Sequence, residues 1–354
     1  MKRLTLGILY LITSAIVGCN YQIINLVLMN NPLLFIGFSY LTASLILLTP
    51  IYSRTEEIIW PKKKGENRFL LENFKLACVN YGWSLILSTI LNVIWLSITF
   101  CYLIKYGAFL ALLVAAFSRL FIPIFSSFVF GDSVQNKFLY WVGIIVSLLG
   151  LFAYQLGGGD QQYNKPDWFL YCMMSLLSVL SVVVPIIIVR FTTSNPTENN
   201  SIPIVKIFWG IRHRKDFYMP VKVQRFIVNI ASSILLIVIG LLLSTPNNKE
   251  WTGVITGVLW ISVNLTIHTI SLEVVNEIKN NMYVTAVDGF RTLLSYFLFP
   301  LVGVALINKP YELNTKAGII GDFTIPYLSL FGILICCIGA FLSLLGKPKV
   351  KATR

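Results

Sequence analysis

Charged side chains are scarce in this sequence: only 12% of the 354 residues are Asp, Glu, Lys or Arg, whereas 56% are hydrophobic. An ordinary soluble domain is about 25% charged. The apolar residues also occur in blocks of about 20, the length that a helix needs to cross a bilayer. We therefore predict an all-α polytopic membrane protein that is embedded in the lipid bilayer.

Histidine and cysteine are too few and too scattered to suggest a metal site or a catalytic set. The six cysteines lie in apolar segments without zinc-type spacing, so we expect buried structural thiols rather than a disulfide framework. One of the two histidines, His213, lies in a predicted loop, and no Ser/His/Asp cluster or carboxylate pair occurs within one helix. The sequence thus argues against an enzyme and predicts no cofactor.

Ten apolar segments are predicted to be transmembrane helices. They span residues 4–29, 33–50, 80–104, 107–130, 138–156, 168–190, 225–244, 252–275, 282–306 and 323–346. The start of the first segment, MKRLTLGILY, resembles a signal peptide. Its apolar run continues to Met29 without a cleavage site of small residues, so we expect the segment to remain as the first membrane helix.

Lysine and arginine are distributed unevenly over the predicted connections. With ten crossings, 21 of them fall on the side that holds both termini, including the seven between residues 190 and 225, and 5 fall on the other side. The positive-inside rule then places both termini in the cytoplasm, whether of a bacterial inner membrane or of a eukaryotic internal or plasma membrane. The same bias explains the net charge of +13 without a nucleic-acid partner.

A basic, aromatic-rich stretch, SIPIVKIFWGIRHRKDFYMPVKVQRF, covers residues 201–226 and overlaps the predicted cytoplasmic loop 191–224. One interpretation is an amphipathic segment that lies on anionic lipid. The simpler interpretation, which we prefer, is a solvated cytoplasmic loop with some apolar packing.

Two short patterns recur in the two halves of the chain. GIIVSLLGLF at 143–152 and GILICCIGAF at 332–341 both have glycines seven residues apart, which permits close helix packing. They follow AAFSRLFIPIF (115–125) and VDGFRTLLSYF (287–297), which align Arg119 with Arg291. We therefore predict two five-helix repeats, residues 1–160 and 161–354. Because five is odd, the second repeat is inverted, an arrangement typical of transporters.

The stretch SITFCYLIKYGAFLALLVAAFSRLFIPIFSSFVFGDSVQNKFLYWVGIIVSLLGLFAY, residues 97–154, resembles helices 3 to 5 of the drug/metabolite transporter superfamily in its EamA-like form. IVGCNYQ (16–22) is similar to the small-polar break in that family's first helix. Gly131 and Asp132 stand where the family commonly has Gly-Glu. The resemblance implies ten helices in inverted repeats, cytoplasmic termini and transport by alternating access.

Arg119 departs from the family pattern, which often has proline at that position. Basic residues in helices 4 and 9 are instead similar to the organophosphate and triose-phosphate translocator branch, where they hold the substrate's phosphate. That branch would place its helix-4 lysine at about Ala115, one turn earlier, and its helix-9 basic residues near Arg291. The register therefore matches more closely at Arg291 than at Arg119.

Arg119 and Arg291 lie near the middle of predicted helices, where an arginine costs roughly 3 kcal/mol. Together they could hold a carboxylate or phosphate through bidentate hydrogen bonds. Pro123 removes the helical bond to the carbonyl of Arg119, which favours a break in the helix beside a binding site. The alternative is that the arginines bridge helices or extend to the membrane surface.

Asp288 lies three residues before Arg291 and shares its helix face. It could neutralise Arg291 until substrate binds, take up a coupling proton, or form a fixed ion pair. Asn264 and His268 share a face of helix 8, where His268 either relays protons or, as we prefer, packs through a hydrogen bond.

Asn20, Tyr21 and Asn92 are polar residues deep in helices 1 and 3. They either line the cavity or join helices through hydrogen bonds.

Taken together, the residues and the resemblance predict a secondary transporter for a small anionic or zwitterionic metabolite. The substrate would bind near mid-membrane at Arg119 and Arg291, with a coupling proton or a counter-substrate as a further expected partner. Two alternatives remain open. One is an exporter of drugs, amines or amino acids from the same superfamily. The other is a non-transporting membrane scaffold or assembly factor whose arginines pair with charges of partner subunits.

Overall fold

The computed structural model describes residues 3–18, 32–59, 70–106, 120–157, 168–193, 219–243, 251–291, 294 and 327–347. Regular secondary structure in these ranges is helical, without a strand. In chain order the helices are α1 (Arg3–Gly18), α2 (Pro32–Leu47), α3 (Pro50–Ile59), α4 (Leu70–Tyr106), α5 (Leu120–Phe130), α6 (Lys137–Gly157), α7 (Trp168–Thr193), α8 (Val221–Leu243), α9 (Trp251–Ile278), α10 (Asn281–Asp288) and α11 (Tyr327–Leu345).

Three of the described helices are long and apolar enough to cross a membrane: Asn73–Ile98 within α4, the whole of α8, and Gly257–Ile278 within α9. The bent pair α2 and α3 gives a fourth if it is one span. The prediction of a helical protein is thus confirmed for the described residues, and these three to four helices could span a membrane. The count of ten crossings stays a prediction, since much of segments 107–130 and 282–306 lies outside the described residues.

Large apolar side chains are exposed in regular stripes along α6 and α11. On each helix they recur at intervals of about three, four or seven residues, which is one helical face. They are Phe138, Ile145, Leu149 and Phe152 on α6, and Phe331, Leu334, Ile338 and Phe341 on α11. Soluble monomers rarely expose contiguous apolar surfaces of this kind, so the stripes are compatible with contact to lipid.

The first of two compact units comprises Met1–Leu28, Ile98–Val183 and Glu277–Arg354. Within it α6 and α11 run antiparallel along their small residues. Gly150 faces the backbone of Cys336, and Gly339 faces the backbone of Ser147, so closely that a Cβ at either glycine would overlap the opposing main chain. Helices approach this closely only where side chains are absent or small.

Asp132 joins the loop after α5 to the start of α10 in the same unit. Its carboxylate accepts hydrogen bonds from the Ser126 hydroxyl and from the Asn281 N–H, the latter at 2.9 Å. The side chain of Asn280 caps α10 by accepting from the Tyr283 N–H at 3.0 Å. These bonds satisfy N–H groups that a helix start otherwise leaves unpaired.

The second compact unit comprises Met29–Ser97 and Val184–Asn276. Here α2 and α8 run antiparallel and also meet at glycines. A Cβ on Gly37 would lie 2.7 Å from Ile237 Cγ1, and a Cβ on Gly240 would lie 2.8 Å from the Leu34 nitrogen. Both glycines therefore permit a backbone separation that no larger residue allows.

The helix α8 begins at Val221, four residues before the predicted start at 225. Lys222 and Arg225, counted above among the loop cations, consequently lie in the first turns of the helix. Lys222 is only 6% exposed and donates to Ser53 Oγ at 3.1 Å. A long cationic side chain can be buried in this way when a polar partner meets its charged end.

Candidate functional site

Asp288 and Arg291 form an ion pair at the end of α10. Arg291 Nε lies 3.5 Å from Asp288 Oδ1, and the two side chains are 25% and 11% exposed. The Tyr10 hydroxyl, from α1, donates to the same carboxylate oxygen at 3.3 Å. The carboxylate of Asp288 is therefore held by a cation from its own segment and by a hydroxyl from a distant one.

This arrangement lets Asp288 keep a hydrogen-bond donor if Arg291 turns toward another anion. A carboxylate or phosphate that approaches Arg291 would compete with Asp288 for the guanidinium, which binds both groups through charge-assisted bonds. The Tyr10 hydroxyl would then still donate to Asp288. A permanent ion pair that only neutralises Arg291 uses the same contacts. The geometry therefore leaves all three predicted roles of Asp288 open: releasable counter-charge, proton carrier and fixed ion pair.

Gly289 packs against α11 and so holds the pair of Asp288 and Arg291 beside the contact of α6 with α11. Its carbonyl accepts from Cys336 Sγ at 3.4 Å, and a Cβ at Gly289 would lie 2.6 Å from Ala340 Cβ. Cys336 Sγ lies 3.4 Å from Ser147 Oγ on α6. The residue directly after Asp288 is thus held against the close contact of α6 with α11.

Three of the predicted site residues, Arg119, Asn20 and Tyr21, lie outside the described residues. Their grouping with Arg291 around one cavity stays a prediction. Pro123, four residues after Arg119, lies buried in α5.

The remaining predicted site residues lie in the second unit and belong to a polar region between helices. Asn92 Nδ2, on α4, donates to Ser232 Oγ on α8 at 3.0 Å. Asn264 Nδ2 donates to the Trp260 carbonyl of its own helix at 3.0 Å. The hydrogen bond between Asn92 and Ser232 joins two helices, which is one of the two roles predicted for Asn92.

His268 contacts an arginine that the sequence analysis did not select. Its Nε2 lies 3.1 Å from Nη2 of Arg225 on α8. Because a guanidinium can only donate, the histidine nitrogen is the acceptor, which requires a neutral ring with its proton on Nδ1. His268 therefore accepts a hydrogen bond from α8 in this structure, and the choice between packing and proton relay stays a prediction.

Tyr10, Arg225 and Ser232 are residues of these groups that sequence reasoning missed. Tyr10 gave no signal, since a tyrosine in an apolar helix is common. Arg225 had one: together with Asn229 and Ser232 it forms a polar stripe along α8, at intervals of four and three residues. Within the described ranges, no group of three or more His, Cys, Asp or Glu side chains is placed to hold a metal ion.

Comparison with protein-family models and with curated protein sequences finds no match for this chain.

Proposed function

We propose that the protein is a secondary transporter that moves a small anionic or zwitterionic metabolite by alternating access. The proposal includes ten membrane helices in two inverted five-helix repeats, cytoplasmic termini, and the EamA-like resemblance of residues 97–154. The observation that carries it is that helices five apart in the predicted order contact each other at glycines in corresponding positions.

The helices α6 and α11 are the predicted helices 5 and 10. Adding 189 to Gly150 gives Gly339, and subtracting 189 from Cys336 gives Ser147. The contact between Gly150 and Cys336 therefore corresponds to the contact between Gly339 and Ser147. Ser147 and Cys336 are themselves 189 residues apart and lie within hydrogen-bond distance. The offset is the one that relates the two glycine patterns in the sequence.

The helices α2 and α8, predicted helices 2 and 7, repeat this relationship with another offset. Gly37 and Gly240 are 203 residues apart, and so are Leu34 and Ile237. The contact of Gly37 with Ile237 therefore corresponds to that of Gly240 with Leu34. Contacts of any antiparallel pair exchange in this way. What supports the proposal is that glycine occupies both corresponding positions in each pair, as expected where equivalent helices of inverted repeats meet.

The charges near α10 support the proposed substrate class. Arg291 is a permanent cation, and its carboxylate partner Asp288 has the Tyr10 hydroxyl as a second donor. A substrate carboxylate or phosphate can take the place of Asp288 at the guanidinium. In the proposed site Arg119 supplies the second cation.

A transport assay in proteoliposomes tests this function. A thermal-shift screen of phosphorylated metabolites, carboxylates, amino acids and nucleotides first identifies a substrate. We expect Arg291→Gln to reduce its uptake about tenfold or more, since a charge-assisted contact is lost. Arg54→Gln, which removes an exposed cation on α3, should transport normally.

Normal transport by both Arg119→Ala and Arg291→Ala would show that the arginines do not hold the substrate. If no compound produces flux or a thermal shift and a stoichiometric partner protein co-purifies, the scaffold alternative replaces the transporter.

A further inference from the structure

Arg225 on α8 is a half-buried cation that has no carboxylate partner among the described residues. Its guanidinium contacts His268, and no acidic side chain of the described residues lies within ion-pair distance of it. Its Nε is buried and has no hydrogen-bond partner among those residues. A buried charge normally has a counter-charge or a full set of hydrogen bonds, because its desolvation is otherwise uncompensated.

The surroundings of Arg225 include the Tyr40 hydroxyl of α2, which interacts electrostatically with Arg225 and hydrogen-bonds Asn92. They are otherwise polar on three helices of the second unit. Each helix contributes three side chains at intervals of three or four residues, which places them along one face. The polar cluster consists of Ser84, Ser88 and Asn92 on α4, Arg225, Asn229 and Ser232 on α8, and Trp260, Asn264 and His268 on α9. Two hydrogen bonds connect the faces, one from Asn92 to Ser232 and one from Arg225 to His268.

Four further atoms of the polar cluster are buried and have no hydrogen-bond partner among the described residues: Ser84 Oγ, Ser88 Oγ, Trp260 Nε1 and Asn264 Oδ1. Buried polar atoms in folded proteins are nearly always hydrogen-bonded. Among the described residues, one unit thus leaves the Nε–H of a guanidinium, an indole donor, an amide acceptor and two hydroxyls without a hydrogen-bond partner, on helices that hydrogen bonds join. These donors and acceptors are the groups that would bind an anion that has a polar body.

We infer that the polar cluster is a binding site for a phosphate or carboxylate group carried on a body with hydroxyl or amide groups. Arg225 binds the anionic group through its Nε and Nη donors. Trp260 donates to the neutral part, Asn264 accepts from it, and the two serine hydroxyls do either. The site lies within the second unit, so it is separate from the pair of Asp288 and Arg291 and does not depend on the proposed transport.

Inorganic phosphate is the first probe, applied to the full-length protein purified in detergent. We expect sodium phosphate to raise the melting temperature saturably, relative to sodium chloride of equal ionic strength. Arg225→Gln should weaken the apparent affinity about tenfold or more. Arg54→Gln should retain the full response. In Arg291→Gln the part of the shift that Arg225→Gln removes should remain, which separates this site from the pair of Asp288 and Arg291. An unchanged response in Arg225→Gln, or its loss in Arg291→Gln alone, would overturn the assignment.

Arginine labelling of the wild-type protein tests the site without relying on a variant that folds. Phenylglyoxal should modify Arg225, and phosphate should protect it, whereas the exposed Arg54 should be modified equally with and without phosphate. Peptide mass spectrometry gives the modified fraction at each arginine. The inference is wrong if Arg225 stays unmodified while Arg54 reacts, or if phosphate gives no protection.

The neutral part of the site is tested with glycerol 3-phosphate as the second probe. The wild-type protein should bind it more tightly than inorganic phosphate, and Asn264→Leu or Trp260→Phe should abolish that difference while inorganic phosphate still binds. Equal affinities for the two probes in the wild type would contradict the roles of Trp260 and Asn264.

The anionic group has two sources, a free solute or a lipid headgroup. Native mass spectrometry separates them: a phospholipid that co-purifies with the wild type but not with Arg225→Gln identifies the headgroup. Phosphate binding by lipid-free protein identifies the solute.

Discussion

Ser147 on α6 and Cys336 on α11 lie 3.4 Å apart, oxygen to sulfur, between two reciprocal glycine contacts. Gly150 faces the main chain of Cys336, and Gly339 faces that of Ser147. The closest approach of the two helices is therefore made by residues with small side chains, and it has the same geometry from either helix.

The two glycines should respond alike to enlargement. Gly150→Val and Gly339→Val should each destabilise the protein by about 1–3 kcal/mol or more, because either side chain forces the backbones apart. Unfolding in detergent measures the effect. Leu149→Val and Leu334→Val, at exposed positions of the same helices, are matched controls with little expected effect. Tolerance of one glycine substitution but not the other would contradict the reciprocal packing.

The short distance between Ser147 and Cys336 predicts a cross-link. Ser147→Cys should form a disulfide with Cys336 under mild oxidation, since the two side chains already touch. Mass spectrometry of the proteolysed protein identifies the linked peptides. The double variant Ser147→Cys, Cys336→Ser leaves Cys337 in place and should give no link to α11. A link to Cys337 instead would show that α11 is rotated.

The hydrogen bond between Asn92 and Ser232 should make a measurable contribution to the packing of α4 against α8. A double-mutant cycle with Asn92→Ala and Ser232→Ala should give a coupling of about 0.6 kcal/mol, the average for such bonds between membrane helices. Unfolding free energies of the four proteins supply the value. Strict additivity of the two substitutions is the result that would refute the contact.

Asp132 should matter more for stability than an exposed acid does. Asp132→Ala removes the acceptor for the Ser126 hydroxyl and the Asn281 N–H, at an expected loss of about 1–3 kcal/mol. Asp132→Asn keeps one acceptor oxygen and should lose less. Glu57→Ala, on the exposed side of α3, serves as the control. Equal melting temperatures for Asp132→Ala and the wild type would exclude this role.

Helix positions could be predicted from the sequence because a long apolar block can adopt few structures other than a helix. Segment 252–275 corresponds to α9, Trp251–Ile278, and segment 138–156 corresponds to α6, Lys137–Gly157. The start of α8 could not be located in this way. Lys222 lies in the helix because Ser53, in α3, accepts its charged end, and that contact is set by the tertiary structure.

The contacts of the candidate sites also differ in whether the sequence could predict them. Asp288 and Arg291 are three residues apart, so their proximity follows from helix geometry alone. The contact of Tyr10 with Asp288 joins residues 278 apart, and that of His268 with Arg225 joins residues 43 apart. No periodicity within a segment encodes such pairs. They depend on which helices pack together, and a single sequence gives little indication of that.

The packing of α6 against α11 also bears on how the protein is made. The helix α6 ends at Gly157, whereas α11 begins at Tyr327, so the ribosome completes the one long before the other. During that interval the glycine and serine face of α6 lacks the helix that covers it in the finished protein. A chain that ended before α11 would leave this face of α6 permanently exposed. We expect such truncated products to be recognised and degraded by the quality-control proteases of the membrane.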